Sequence, residues 1–156
     1  MVGKKVSASR VVMTELVLPT HTNSLGSIFG GQVMSWIDIC AAICAQRHSQ
    51  SEVVTAAIDE LNFIAPVYKG WVVNLKASIN LVSKTSMEVG VRVDAENPKT
   101  GATFHTASAY VTFVALGSDG KPAGVPDLVL ETEEEKRRNQ AAIVRRQHRL
   151  ARRRVR

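Results

Sequence analysis

An aspartate within an apolar stretch is the residue of this sequence that points most clearly to chemistry. Asp38 follows Trp36 and Ile37 and precedes Ile39 and Cys40, which predicts a carboxylate on a helix surrounded by apolar side chains. Burying a carboxylate costs free energy unless the group is paired or hydrogen-bonded. Such carboxylates concentrate at functional sites, although an aspartate that only bonds the backbone of a neighbouring strand is the structural alternative. We therefore take Asp38 as the candidate catalytic residue.

Two glycines, Gly30 and Gly31, stand at the predicted start of the same helix. Backbone N–H groups at a helix N-terminus have no partner within the helix and favour negative charge. They could bind a carbonyl oxygen that gains charge during acyl transfer, whereas a plain tight turn is the alternative. Asn23, in the polar loop before them, could orient a substrate or a water molecule, or it could close an Asx-turn.

Three residues spaced by four, Cys40, Cys44 and His48, could share one face of the helix and suggest a metal site. A zinc site needs a further ligand and usually shows a second ligand cluster, so small core residues and a histidine at the helix end are favoured. The cysteine spacing is poor for a disulfide within one helix, which predicts two thiols. His21 is expected at the surface, and His105 lies in a strand without a partner visible in the sequence.

Hydrophobic periodicity predicts the elements that must position these residues. The helix over 32–46 is apolar on nearly every face, so we expect it to be enclosed on all sides. Two runs of alternating apolar and polar residues have the period of half-buried strands. Short turns link the later strands and favour antiparallel neighbours, so the expected class is α+β, a curved antiparallel sheet around one long central helix. The predicted strands are 10–18, 53–64, 72–82, 87–95 and 102–116.

The net charge of +6 belongs to one end of the chain. Residues 133–156 contain ten Lys and Arg against three Glu, whereas the other 132 residues contain ten Lys and Arg against eleven Asp and Glu. Thr132 and Glu135 have the spacing of a capping box, which predicts a basic C-terminal helix or tail over 132–156. Its arginines could contact nucleic acid or an anionic membrane, or form a solvated face. The body has no matching basic face or nucleic-acid motif, so nucleic acid is not expected as the main partner.

Membrane insertion and secretion are not expected from this sequence. The longest mainly apolar stretch, 33–45, contains Ser35 and Asp38 and is too short and too polar to span a bilayer. Residues 1–10 carry charges without a following apolar segment, so no secretory signal is visible. A cytoplasmic location is the expectation.

Several motifs in the same order resemble one known family. The pattern Asn23-x-x-Gly26-x-x-x-Gly30-Gly31-x-x-x-x-Trp36-Ile37-Asp38 is similar to the signature of hotdog-fold acyl-CoA thioesterases, in the branch of the cytosolic acyl-CoA thioester hydrolases. The likeness runs roughly from residue 10 to the basic tail and includes the segments 63–67, 83–89, 112–116, 120–122 and 125–126. It implies a hotdog thioesterase domain over 10–131, with 1–9 as an N-terminal extension.

The resemblance also implies roles for individual residues. The chain would hydrolyse acyl-CoA to a free carboxylic acid and CoA, with Asp38 as general base or nucleophile. Asn23 would orient the water or the substrate, and the Gly31 N–H would polarise the thioester carbonyl. No metal is implied and no cofactor either, because CoA is part of the substrate and the product. The substrate-binding and CoA-binding residues would be Gly30, Ser83, Lys84, Thr85 and Ser86, with Lys84 near the phosphates.

Active sites of this family form between subunits, so the resemblance implies a homodimer, with a tetramer or hexamer as further options. Asn23 and Asp38 of one site would then come from different subunits. A thiol with a pKa of about 8.5 is a good leaving group, so one base and a polarised carbonyl suffice without a strong general acid. A non-catalytic acyl-CoA-binding module on the same fold is the alternative. A hotdog hydratase is disfavoured because no histidine stands next to the motif on the helix.

Overall fold

The computed structural model describes residues 1–154, and it places one long helix against one face of a five-stranded antiparallel sheet. The strands of this sheet are arranged in the order β2-β4-β5-β6-β3, and a separate parallel pair joins β1 to β7. The predicted α+β arrangement is confirmed, with the predicted strands and helix at the expected positions. The elements are β1 (Lys4–Lys5), β2 (Val11–Leu16), α1 (Gly30–Ser49), β3 (Glu52–Phe63), β4 (Val72–Val82), β5 (Ser86–Glu96), β6 (Thr103–Leu116), β7 (Leu128–Val129) and α2 (Glu133–Arg154).

The period-two pattern of the strands creates the core. On β4, Val73 and Leu75 are fully buried and belong to the same cluster as Ile37 and Ala41 of α1. Removing a Leu or Ile side chain from water contributes roughly 1.5–3 kcal/mol, so this layer between α1 and the sheet is a main source of stability. The alternate residues of β4 and β5 point to the outer face of the sheet, away from α1.

The helix α1 is not enclosed on all sides, and that expectation is wrong for the single chain. Met34 is 39% exposed and Ile39 is 48% exposed, whereas Trp36 and Ile37 are buried. The sheet has only one face toward α1 and covers one side of it. The open side of α1 lies beside β3, which is an edge strand of the sheet and therefore has unpaired backbone groups.

The predicted basic C-terminal helix is confirmed as α2, and it docks on the outer face of the sheet. Arg145 donates from Nε and Nη2 to Glu88 of β5, both at 2.9 Å, and the Glu88 side chain is only 2% exposed. Arg149 pairs with Asp59 of β3 at 2.9 Å. The alternative of a solvated helix is therefore wrong for these two arginines, although Arg152–Arg154 are exposed. Residues 155–156 of the predicted tail lie outside the described residues.

Residues 1–9, predicted as an extension, pack onto the domain. Lys4 and Lys5 pair with Leu128 and Val129, and Val6 is buried. Within residues 1–154, no helix is both long and apolar enough to cross a membrane.

Candidate active site

The candidate catalytic carboxylate is held by a threonine from the edge strand. Asp38 is half-buried on α1, and the Thr55 hydroxyl of β3 donates to its Oδ1 at 2.7 Å. A hydrogen bond to an ionised acceptor is stronger than one between neutral groups, so this contact fixes the orientation of the carboxylate. Among the described residues, Oδ2 of Asp38 has no hydrogen-bond partner. One oxygen is thus anchored and the other is available to an incoming group.

The first turn of α1 presents free backbone donors. The helix begins at Gly30 after Phe29, and its first hydrogen bonds run from the Gln32 and Val33 N–H groups to the Phe29 carbonyl, at 3.0 and 3.3 Å. The N–H groups of Gly30 and Gly31 therefore precede the first donor of the helix, and among the described residues neither has a backbone acceptor. A Cβ built on Gly31 would meet no atom within 4 Å, so the space in front of this turn is open. The predicted position of the glycine pair at the helix start is confirmed.

Asn23 shapes the loop before α1 in the single chain. Its Oδ1 accepts from the Leu25 N–H at 2.9 Å and from the Ser27 N–H at 3.3 Å, and its Nδ2 donates to the Ser27 hydroxyl at 2.9 Å. This is the Asx-turn that the sequence left open. No hydrogen bond joins Asn23 to Asp38 within residues 1–154, so the orienting role of Asn23 stays a prediction.

The predicted CoA-binding loop, residues 83–86, lies at the same position along the strands as Thr55. Ser86 of β5 and Val54 of β3 both pair with Val114 of the strand between them, so they flank it at roughly 5 Å on either side. The loop is fixed through its backbone, because the carbonyls of Lys84 and Thr85 accept from the N–H groups of later segments. The Lys84 side chain is exposed, which leaves its ammonium group available.

An apolar cavity that sequence reasoning did not find opens beside the free N–H groups. It has a volume of about 340 Å³, and Gly30 is among its lining residues. Its walls include the loop between β3 and β4 and Thr106 and Ala107 of β6, where the pairing of β6 with β5 shifts by one residue. No local sequence pattern reveals this arrangement. Its apolar lining includes Ile28, Val33, Phe63, Pro66 and Val67.

The two cysteines and the one histidine of α1 belong to its buried side. Burial raises the pKa of Cys40 to about 11 and that of Cys44 to about 12, so both are thiols. His48 is fully buried, its Nε2 lies 2.8 Å from the Pro126 carbonyl, and burial lowers its pKa, so the neutral ring donates to that carbonyl. No group of potential metal ligands occurs within residues 1–154. His21 is half-buried rather than at the surface, because its ring packs edge-on against that of Trp36 with the centroids 5.0 Å apart.

Known proteins resemble this chain over most of its length. The family model of the Thioesterase superfamily matches residues 25–102. The uncharacterized acyl-CoA thioester hydrolase YkhA of Bacillus subtilis is 42% identical over 94% of this chain and 85% of its own length. The cytosolic acyl coenzyme A thioester hydrolase of Rattus norvegicus is 38% identical over 85% of this chain, which spans only 35% of that longer protein.

Solved structures agree with these relatives. An apo-hexameric acyl-CoA thioesterase is 41% identical, with a TM-score of 0.95 and complete coverage of both chains. The acyl-CoA hydrolase of Staphylococcus aureus in complex with butyryl coenzyme A, coenzyme A and coenzyme A disulfide is 35% identical, with a TM-score of 0.90 over 96% of this chain and 92% of its own. That enzyme has also been solved with an asparagine, an aspartate or a threonine replaced by alanine. Five antiparallel strands packed on one central helix therefore form a hotdog fold, and the chain belongs to the thioesterase superfamily.

Proposed function

We propose that this chain hydrolyses acyl-CoA thioesters to a free carboxylic acid and CoA at a site centred on Asp38. The observation that carries the proposal is the 2.7 Å hydrogen bond from Thr55 to Asp38, which anchors one carboxylate oxygen and leaves the other for a reacting group. The names of the relatives support the reaction class. A cytosolic location, as in the name of the rat relative, is part of the proposal.

The spacing of three residues supports the same site. In the Staphylococcus aureus enzyme, the replaced asparagine and aspartate are 15 residues apart, and the replaced threonine follows 17 residues later. Asn23, Asp38 and Thr55 have the same order and the same separations in this chain. This agreement supports a joint role for the three residues, and it adds Thr55, which the sequence motif did not include.

Asp38 has two routes to the same products. As a general base it takes a proton from water, whose oxygen attacks the carbonyl carbon. The C–S bond then breaks and the CoA sulfur recovers the proton. As a nucleophile, Asp38 forms an acyl-enzyme anhydride, releases CoA, and water then cleaves the anhydride. In both routes the thioester oxygen gains negative charge, which the Gly31 N–H and its neighbour Gly30 would stabilise.

The helix geometry supports a site shared between two copies of the chain. Gly31 and Asp38 are two turns apart on α1, which corresponds to roughly 10 Å along the axis. That distance is too great for both groups of one chain to act on one carbonyl. A second copy related by two-fold symmetry could place its Gly31 and Asn23 against Asp38 and Thr55 of the first. The open side of α1 and the unpaired edge of β3 favour such a homodimer, and the hexamer reported for one neighbour suggests assembly beyond it.

The decisive experiment measures release of CoA thiol from short, long and aromatic acyl-CoAs. We expect the Asp38→Asn variant to lose turnover by at least about a thousandfold with unchanged unfolding, because the amide keeps the volume but removes the base. Asp127→Asn, at an exposed position that makes no contact with Asp38 or Thr55 within residues 1–154, is the matched control and keeps full activity. Turnover that survives in Asp38→Asn would contradict the mechanism. Saturable CoA binding by the wild type without turnover on any substrate would favour the binding module instead.

Mixing two inactive variants tests the shared site. Asn23→Ala and Asp38→Asn chains, unfolded together and refolded, should regain about a quarter of the wild-type activity. Half of the dimers are then mixed, and one of their two sites combines an intact Asn23 with an intact Asp38. Each variant refolded alone is the control. No recovery from chains that assemble normally would place both residues of a site in the same subunit.

A further inference from the structure

A single histidine, His21, connects the loop of Asn23 with the start of α1. Its carbonyl accepts from the Phe29 N–H at 3.0 Å, and the Phe29 carbonyl in turn accepts from the first turn of α1. Further into the loop, the Asn23 N–H donates to the Ser27 carbonyl at 2.9 Å. His21 and Phe29 therefore form the base of a tight loop, and the position of this base affects how far Asn23 lies from the Gly31 N–H.

The imidazole ring of His21 fixes the backbone of that residue. Its Nδ1 accepts from the Leu18 N–H at 3.0 Å, and the His21 N–H donates back to the Leu18 carbonyl at 2.9 Å. Two reciprocal hydrogen bonds thus join the same two residues and leave the His21 peptide little freedom to turn. Because Nδ1 is the acceptor, the neutral ring carries its hydrogen on Nε2.

A contact with α1 keeps the ring in this orientation. The His21 ring packs edge-on against Trp36, with the centroids 5.0 Å apart, and Trp36 is buried. Leu18, by contrast, is an exposed residue, so water could satisfy its N–H group without any side chain. The bond to Nδ1 therefore contributes less by satisfying a donor than by fixing the position of the loop.

We propose that His21 is a positioning residue for hydrolysis, which sets the distance between Asn23 and the Gly31 N–H. The ring acts through the backbone, because Nδ1 holds the His21 peptide and the His21 carbonyl holds Phe29 at the helix start. This role rests on the proposed hydrolysis, in which Asn23 and Gly31 of one chain act together on a substrate at Asp38 of the other. A displacement of about 1 Å between such groups can lower a rate by roughly a hundredfold.

Two substitutions separate the acceptor from the ring. His21→Phe keeps an aromatic ring against Trp36 but removes the acceptor, and we expect kcat to fall about tenfold with KM within about twofold of the wild type. His21→Asn loses the ring, but its Oδ1 can take the place of Nδ1, so kcat should stay within about threefold of the wild type. His148→Phe, the same change at an exposed position of α2, is the matched control and should leave both constants unchanged.

Release of CoA thiol at steady state distinguishes positioning from packing. A residue that only packs would lower the free energy of unfolding and leave kcat of the folded protein unchanged. A wild-type kcat in His21→Phe would therefore overturn the proposal. A His21→Asn variant that is as impaired as His21→Phe would overturn it too, because the ring rather than the acceptor would then be responsible.

Amide hydrogen exchange followed by NMR tests the same role without turnover. The Phe29 amide should exchange at least about tenfold faster in His21→Phe than in the wild type, and close to the wild-type rate in His21→Asn. Unchanged exchange in His21→Phe would contradict the path through the backbone. A wild type that releases no CoA thiol from any substrate would instead refute the proposed hydrolysis, and the exchange rates would still decide whether His21 fixes the loop.

Discussion

The N-termini of the two helices use their backbone donors in opposite ways. At α2 the Glu135 carboxylate accepts from the N–H groups of Glu131 and Thr132 at 2.8 and 2.9 Å, and the Thr132 hydroxyl accepts from the Glu135 N–H at 3.1 Å. At α1 the residue before the helix is Phe29, which makes no side-chain cap. A cap typically stabilises a protein by about 1 kcal/mol, so its absence at α1 has a cost.

This difference separates stability from function. The cap of α2 stabilises a helix that packs on the outer face of the sheet. The backbone donors at this N-terminus are bonded within the chain. The first turn of α1 keeps the Gly31 N–H open beside an apolar cavity, where a substrate carbonyl could accept from it. Changes at the start of α1 should therefore alter turnover, and changes at the start of α2 should alter unfolding.

Removing the Gly31 N–H tests whether the start of α1 serves turnover. Of the changes compared between the two helices, it should have the largest effect on kcat. We expect Gly31→Pro to lower kcat by about 10²–10³, because proline lacks the donor while its ring is tolerated in the first turn of a helix. Gly31→Ala keeps the N–H and finds no atom within 4 Å of its Cβ, so its kcat should stay close to that of the wild type. Steady-state kinetics with a preferred acyl-CoA provide the measurement. Equal losses in both variants would indicate a steric effect rather than a lost donor.

The hydrogen bond from Thr55 of β3 to Asp38 can be tested next. Thr55→Val keeps the shape of the side chain but removes the hydroxyl, and we expect kcat/KM to fall by about tenfold to a hundredfold. Thr55→Ser restores the donor and should recover most of the activity. If the serine variant is as impaired as the valine variant, the role of Thr55 is packing rather than positioning of the carboxylate.

At α2 the expected effect is on stability alone. Glu135→Gln should lower the free energy of unfolding by about 2 kcal/mol, because the buried carboxylate accepts two backbone N–H groups. Urea denaturation gives the value, and kcat at 25 °C should remain unchanged. Glu133→Gln, at a side chain that is 92% exposed, is the matched control and should shift unfolding by less than about 0.5 kcal/mol. A change in kcat with Glu135→Gln would contradict the assignment of turnover to the start of α1 and of stability to the start of α2.

His48, in the last turn of α1, should make a smaller contribution to the free energy of unfolding, and this contribution should depend on pH. Burial lowers the pKa of His48 below its ordinary 6.5, so the unfolded chain binds a proton near that pH before the folded chain does. The contribution of His48 is therefore fully present above pH 6.5 and declines as the pH falls through and below that value. Unfolding free energies of the wild type and His48→Gln, compared between pH 7.5 and 5.5, measure it. Parallel curves would exclude His48 as the source.

Local patterns in the sequence predicted much of this arrangement. Alternation along β4 and β5 identified their buried faces, the spacing of Thr132 and Glu135 identified the start of α2, and the glycine pair identified the start of α1. Each of these features depends on neighbours within a few residues in the chain, which is why sequence alone could reveal them.

Features that depend on distant contacts were missed. The bond between Thr55 and Asp38 joins two elements, and Thr55 by itself is an ordinary strand residue. The arginines of α2 suggested a solvated face because their partners, Glu88 and Asp59, lie on separate strands far along the chain. The open side of α1 also escaped prediction, because an apolar helix has the same composition whether its own sheet or a second copy covers it.

The strand order of the sheet has a consequence for how the site comes into being. Tight links join β4 to β5 and β5 to β6, so this meander can form from contacts that are close in the chain. β3, which carries Thr55, pairs with a strand far along the chain, β6. The contact between Glu52 and Leu116 is an example. Closing that long loop costs entropy, so we expect β3 to join late during folding. Asp38 is then present early in the nascent chain but gains its threonine only when the sheet is complete, which keeps a partly folded chain from carrying a working site.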